Sequence, residues 1–194
     1  MKRLIIGISG ASGVIYGVRM LEVLREVEGV ETHLVMTPAA KKTIVLETDL
    51  GVSEVEALAD EVHGFGDIAA SLSSGSYKTT GMVVIPCAMK TLSGIAHSYS
   101  DNLLLRAADV ALKDRRKLVL VVRETPLHLG HLRLMAEVTE MGAILMPPMP
   151  AFYHRPKTID DLINQTVNRV LDVLDIELDK DLFARWEGPP GSAS

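Results

Sequence analysis

The run Leu4-Ile5-Ile6-Gly7-Ile8 passes directly into Ser9-Gly10-Ala11-Ser12-Gly13 and then into the amphipathic segment Val14–Glu28. An apolar strand, a turn of small residues and a helix follow in that order. This unit restricts the chain to architectures that repeat it. Glycine lets a backbone turn sharply and approach a ligand closely. The helix N-terminus that follows offers unpaired N–H groups and the positive end of a dipole, which suits a phosphate. A purely structural turn is the other reading. The spacing Gly7-x-x-Gly10-x-x-Gly13 is not the dinucleotide fingerprint, and Thr37 stands where that fingerprint wants an acid. No Gly-Lys-Ser/Thr is present for a nucleoside-triphosphate loop.

The unit recurs along the chain. In the first helix Arg19, Glu22 and Glu26 share a polar face, and Val18, Leu21 and Leu24 point inward. Thr32–Met36 is the second expected strand. Thr37-Pro38 opens a helix with a cap and an N-terminal proline, carrying Lys41 and Lys42 and reaching Glu47-Thr48-Asp49. Ser53-x-x-Glu56 reads as a capping box. Residues 63–80, rich in Gly, Ser and Thr, read as a loop around a short helical piece. Gly81–Pro86 is the third strand, with the polar run Cys87–Thr91 behind it. Ser100 or Asp101 is expected to cap a helix over Asn102–Arg115 that is apolar nearly all round. Lys117–Val122 is a fourth strand buried on both faces, ending in Arg123-Glu124-Thr125-Pro126. A helix to Met141, stopped by Gly142, precedes a fifth strand at Ala143–Met146. Thr158-x-x-Asp161 starts the last long helix, to about Leu174.

This alternation implies one α/β domain over residues 1–187: a three-layer, doubly wound parallel sheet of the Rossmann-like or flavodoxin-like kind. The tail 188–194 reads as linker-like and is excluded from the fold. Ligands in such sheets bind beyond the strand carboxyl ends. Ser9–Ser12, Thr37, Cys87–Thr91 and Arg123-Glu124 all stand at such ends.

Bulk properties narrow the class. Of 194 residues, 47% are hydrophobic but only 4% aromatic, so aliphatic side chains must fill the core. A net charge of −5 argues against a general nucleic-acid binder. No apolar run reaches the ~18 residues needed to span a bilayer. With no signal-peptide pattern and a single cysteine, a cytoplasmic setting is expected.

Several residues carry chemistry. Arg123 and Glu124, directly after a buried strand, are either a structural ion pair or part of a site. Arg106 and Lys113 on a buried helix need anionic partners. Asp109 can serve one of them, and a bound phosphate can serve both. Cys87 reads as a small buried residue. His128 and His131 lack a carboxylate to complete a zinc set, so no metal is expected. Asp160 and Asp161 read as helix-capping. Trp186 reads as an anchor docking the tail, or as a stacking surface.

With these residues collected, the chain resembles the UbiX-type flavin prenyltransferases, and within them the enterobacterial, ubiquinone-biosynthesis branch. The matching pieces are Gly7–Gly13, Leu46-Glu-Thr-Asp49, Ser73-Ser-Gly-Ser76, Leu105–Lys113, Val122-Arg-Glu-Thr-Pro126, Pro150–Pro156 and Asn168-Arg169 through Arg185-Trp186. The resemblance implies transfer of a dimethylallyl group from dimethylallyl monophosphate to N5 and C6 of reduced FMN without a metal ion. The prenylated FMN would serve a UbiD-type decarboxylase. By position, Ser9, Gly10, Ala11, Ser12, Thr37, Cys87, Ala88, Met89, Lys90 and Arg123 should hold FMN, with Ser12 also near the transferred phosphate. Arg106, Lys113, Arg123, Glu124, Tyr153 and Arg169 should bind the dimethylallyl phosphate. Glu47 should assist proton movement, and Trp186 should wall the prenyl pocket. The resemblance also implies a homododecamer with shared sites. Two rivals are a flavin-dependent cysteine decarboxylase and a flavin carrier. Pro86-Cys-Ala-Met-Lys-Thr91 lacks the Pro-Ala-Ser-Ala-Asn-Thr motif of the first. The second leaves the set of cationic residues unexplained.

Overall fold

The computed structural model describes residues 1–188; residues 189–194, most of the expected tail, lie outside the described residues. Six parallel strands form one sheet: β1 (Lys2–Ile8), β2 (Val30–Met36), β3 (Glu61–His63), β4 (Gly81–Cys87), β5 (Lys117–Val122) and β6 (Ile144–Leu145). Their order is β3-β2-β1-β4-β5-β6, so the direction of winding reverses between β1 and β4. With β3 this is the Rossmann order; without that short edge strand it is the flavodoxin order.

Side chains alternate across the sheet as strand geometry requires. Leu4, Ile6 and Ile8 enter a core built with α1 (Val14–Leu24), α2 (Pro38–Glu47), α3 (Val52–Glu56) and α7 (Ile159–Val173). Ile5, Val35, Met82 and Val84 enter a second core built with α4 (Met89–Ala96), α5 (Leu103–Lys113) and α6 (Leu129–Glu140). Val18, Leu21 and Leu24 are buried as their spacing predicted. Each such leucine or valine contributes roughly 1.5–3 kcal/mol. Among the described residues no helix is long and apolar enough to cross a membrane.

Four local readings are corrected. The sixth strand, β3, arises in a stretch with no apolar alternation. It is held to β2 by a clamp in which Asp60 Oδ2 accepts from Thr32 N–H (2.7 Å) and Thr32 Oγ1 (2.8 Å), while Asp60 N–H donates to Thr32 Oγ1 (3.0 Å). Helix α4 begins inside the run read as merely polar, because Leu92 and Ile95 are buried and Gly94 lies where a Cβ would come within 2.7 Å of Leu105. Helix α3 is capped by Glu54, which accepts from Gly51 N–H at 2.6 Å, and not by Ser53; Glu56 pairs with Lys41. Helix α5 is capped by Asn102, whose Oδ1 accepts from Leu105 N–H at 3.0 Å, and not by Ser100 or Asp101. The caps Thr37 on α2 and Thr158 with Asp161 on α7 are as expected.

Candidate active site

A cleft of about 780 Å³ opens where the carboxyl ends of β1, β2 and β4 meet, at the reversal of strand order. Its size suits an organic cofactor. Gly10, Thr37, Ala88 and Lys90 line it, so four of the expected flavin residues come together. Phe65, Leu104 and Leu105 supply apolar wall that sequence reasoning missed. Phe65 lay in a stretch read only as loop, with no periodicity to mark it.

The first turn is built from unusual contacts. Ser9 is fully buried; its hydroxyl donates to Pro86 O (2.9 Å) and accepts from Ala88 N–H (2.7 Å). It ties the end of β1 to the end of β4, and its one donor proton is not available to a ligand. Gly10 approaches α2 so closely that a Cβ would lie 2.3 Å from the Cβ of Ala39. Ala11 N–H is bound to Ser9 O at 2.9 Å, and Ser12 is exposed. Gly13 has φ +97°, a conformation side chains rarely adopt.

The helix ends are occupied differently from the expectation. Glu47 Oε2 accepts from Gly13 N–H at 2.8 Å and lies 3.4 Å from Val14 N. The positive end of α1, assigned to a phosphate, thus holds a carboxylate of the chain itself. Thr37 caps α2. Helix α4 has Ala88 at its cap position and no side-chain cap, and its first turn lines the cleft. The helix end open to an anion at the cleft is therefore that of α4. A capless small residue after a strand was the signal for it.

Arg123 and Glu124 are exposed beyond β5. Arg123 N–H donates to Cys87 O (3.1 Å), and Glu124 Oε1 accepts from Thr125 N–H (2.9 Å). Among the described residues the Arg123 guanidinium has no ion pair, so the pairing of Arg123 with Glu124 is not formed. The Cys87 side chain is wholly buried, and burial pushes its thiol up, out of reach of a ligand. Met89 packs partly buried against the second core.

The remaining expected residues stand elsewhere. Arg106 Nη1 donates to Asp109 at 2.7 Å and Nε to Ser73 O at 3.1 Å; Lys113 pairs with Asp114 at 2.7 Å. The bond to Ser73 O ties α5 to the 3-10 turn Ser71–Ser73, the two ion pairs are local to the helix and its end, and neither cation lines the cleft. Tyr153, Arg169 and Trp186 line a separate hollow of about 460 Å³. Trp186 is 62% exposed and is not the tail's anchor. Leu182 N–H donating to Asn168 Oδ1 (2.7 Å) and Arg185 bound to Asp172 (2.8 Å) hold the segment 182–186. The hydrogen-bonded Arg185 guanidinium keeps the Asp172 carboxyl below the usual range. His128 Nδ1 caps α6 by accepting from Gly130 N–H, with its ring 3.6 Å from that of His131.

The Flavoprotein family model matches residues 1–171. Flavin prenyltransferase UbiX of Escherichia coli K12 is 69% identical over 188 residues, covering 97% of this chain and 100% of that protein. AnUbiX (PadA1), solved in complex with FMN and dimethylallyl pyrophosphate, superposes with a TM-score of 0.93 at 51% identity, covering 96% of this chain and 98% of that one. A dodecameric FMN-dependent UbiX-like decarboxylase from Escherichia coli O157:H7 gives 0.92 at 52% identity, covering 96% and 100%. Sheet, cleft and family model together define a flavoprotein of the doubly wound α/β class. Within that class the chain belongs to the UbiX flavin prenyltransferase family.

Proposed function

We infer that this chain transfers the dimethylallyl group of dimethylallyl monophosphate to N5 and C6 of reduced FMN, and that the prenylated FMN passes to a UbiD-type decarboxylase. The observation that carries this reading is the cleft at the strand-order reversal, apolar along its walls and bordered by the uncapped first turn of α4. A flat ring system with a phosphate-bearing arm needs both features. The full-length likeness to UbiX proteins supplies the choice of reaction.

When bound, reduced FMN supplies the nucleophilic ring atoms. The chain's own residues do the rest. Lys90 and the α4 backbone N–H groups hold the flavin phosphate. Gly10 and Thr37 form the rim at the ends of β1 and β2. Arg123, free of any ion pair among the described residues, offers a planar fork to a phosphate. Ser12 and Glu124 face solvent beside these groups and take part in phosphate binding. Glu47 uses one carboxylate oxygen to cap α1; its other oxygen is the one available for proton movement.

One chain does not gather every expected group, because Tyr153, Arg169 and Trp186 line a different hollow from the cleft. This separation supports a site completed by a neighbouring subunit, with Arg169, released from Asp172, neutralising the departing phosphate, Tyr153 hydrogen-bonding it and Trp186 walling the prenyl group. Arg106 and Lys113 remain part of this proposal through release of their present partners Asp109 and Asp114. Exposed Leu46 (84%), Phe152 (69%) and Leu129 (60%) offer apolar surface for a homo-oligomer, a dodecamer in this reading. A cytoplasmic setting belongs to the same reading.

Incubation with reduced FMN and dimethylallyl monophosphate, followed by mass spectrometry, tests it. Flavin gaining one dimethylallyl group with release of inorganic phosphate is expected. Unmodified flavin after anaerobic incubation would overturn the assignment.

A further inference from the structure

On the face of the sheet opposite α1, the outer pair of strands carries polar chemistry that the flavin site does not use. His33 of β2 is paired in register with Glu61 of β3, and His63 follows two residues after Glu61 on the same face. His33 Nδ1 lies 3.0 Å from His63 Nε2 and 3.5 Å from Glu61 Oε2, and His63 Nε2 lies 3.6 Å from the same oxygen. We propose that His33, Glu61 and His63 form a binding site for one divalent transition-metal ion of the zinc class, pinning the short strand β3 to β2.

The distances are those a metal requires. Ligands at 2.0–2.2 Å around a tetrahedral zinc ion stand about 3.3–3.6 Å apart. Both edges to Glu61, 3.5 and 3.6 Å, have that length, and the His33–His63 edge of 3.0 Å needs to open by a few tenths of an ångström; the fourth position is left for water. Two imidazoles and one carboxylate are a donor set that selects zinc and its neighbours over magnesium or calcium.

The atoms behind the donors agree with this role. A ligating histidine commonly hands its other ring N–H to a carboxylate or hydroxyl, which fixes the tautomer. His33 Nε2 lies 3.4 Å from Glu31 Oε1 and 3.3 Å from the Tyr77 hydroxyl. Glu31 is held in turn by Arg3 at 3.0 Å. With Nε2 protonated toward Glu31, the neutral ring of His33 presents a bare Nδ1 toward His63 and Glu61. In the metal-free chain the same tautomer lets His63 Nε2–H donate to that Nδ1 at 3.0 Å, and a bound metal ion would take the place of this one proton. Access is provided by Glu61, whose side chain is 50% exposed. A three-residue strand has little hydrogen bonding of its own, and a ligand that binds only the folded state stabilises it.

The full chain, stripped with chelator, is titrated with Co²⁺ and then Zn²⁺. The expected result is one Co²⁺ per chain with the visible bands of four-coordinate cobalt, displaced by one Zn²⁺, and a rise in Tm with Zn²⁺. Glu61→Gln and His63→Ala should each weaken binding more than tenfold while leaving the metal-free Tm near the wild-type value. Glu31→Gln should weaken it about 10- to 100-fold by freeing the His33 tautomer. His128→Ala, which removes only the α6 cap, should leave metal affinity and stoichiometry unchanged. Absence of saturable Co²⁺ or Zn²⁺ binding overturns the proposal. So does binding that survives Glu61→Gln and His63→Ala unchanged but is lost in His128→Ala. Glu61→Gln, at a half-exposed side chain, keeps the test decisive if His63→Ala does not fold.

Discussion

Glu47, in the last turn of α2, accepts a hydrogen bond at 2.8 Å from the backbone N–H of Gly13, thirty-four residues earlier in the chain. The same carboxylate is the candidate for proton movement, so its structural and chemical contributions need separating. Glu47→Gln keeps a carbonyl oxygen for the cap and removes the charge. It should hold Tm near wild type, retain FMN and slow single-turnover prenyl transfer. Glu47→Ala should in addition lose about 1 kcal/mol of stability through the missing cap. Unchanged product formation by Glu47→Gln would show that the charge has no chemical part.

Arg123→Ala should leave thermal unfolding unaltered, since the side chain is exposed and makes no ion pair among the described residues. Its predicted loss is a charge-assisted hydrogen bond to a phosphate, roughly 1.5–3 kcal/mol, or about 10- to 150-fold in FMN or substrate affinity. Fluorescence titration of flavin and initial rates against dimethylallyl phosphate measure it. Wild-type values for both would remove Arg123 from the site.

Gly10→Ala should destabilise the first turn by about 1–3 kcal/mol, because the new Cβ would fall 2.3 Å from the Cβ of Ala39. Ala39→Gly in the same chain removes that opposing atom. The double variant should recover much of both Tm and flavin affinity. If the second change gives no recovery, the contact with Ala39 is not what requires glycine at position 10.

The segment 182–186 should respond to acid. Asp172 is held below its ordinary value of 3.8, chiefly by its hydrogen bond from Arg185. A carboxyl depressed on folding contributes fully above the ordinary value and loses that contribution as pH falls through the folded one. The fluorescence of the chain's single tryptophan, Trp186, should therefore change below pH 3.8, and added salt should raise that midpoint because the pair is partly exposed. Arg185→Ala should move the Asp172 transition upward, with Arg169, 2.9 Å from the same carboxylate, still holding it below the ordinary value. A transition unmoved by that substitution would rule out the pair as the lock.

A shared site predicts complementation. If Arg169 serves a neighbour's flavin, mixed oligomers of Glu47→Gln and Arg169→Ala chains contain some sites with both defects and some with neither. Activity should return on co-refolding two nearly inactive variants, with subunit exchange verified by native mass spectrometry. Mixed oligomers as inactive as their parents would mean that each chain carries its own complete site.

What could be read from the sequence follows the range of the forces involved. Strands β1, β4 and β5 announce themselves because each is a local apolar run buried on both faces, and β2 through its second half, Leu34-Val35-Met36. Thr37 and Thr158 announce their helices because a cap acts over three residues. Strand β3 does not, because its clamp joins Asp60 to Thr32 across the sheet and its own residues are largely exposed. At the site, Gly10, Thr37, Ala88 and Lys90 were legible as strand ends. The cap of α1 by Glu47, the tie made by Ser9 and the pairing of Arg106 with Asp109 were not separable from ligand contacts, since a carboxylate, hydroxyl or guanidinium serves either partner equally well.

The tie made by Ser9 bears on how the cleft can adapt. Two hydrogen bonds through one hydroxyl, plus Ser9 N–H to Pro86 O, lock together the two strands that part at the reversal of winding. One jaw of the cleft is therefore a fixed gauge. The other is made of Phe65 and the connection from α4 to α5 around Tyr99, joined to each other by Leu103 N–H donating to Phe65 O at 2.9 Å; among the described residues no hydrogen bond fastens them to β1. A ring system thickened by a new substituent therefore meets a fixed spacing between β1 and β4, and any widening of the cleft falls to the opposite wall.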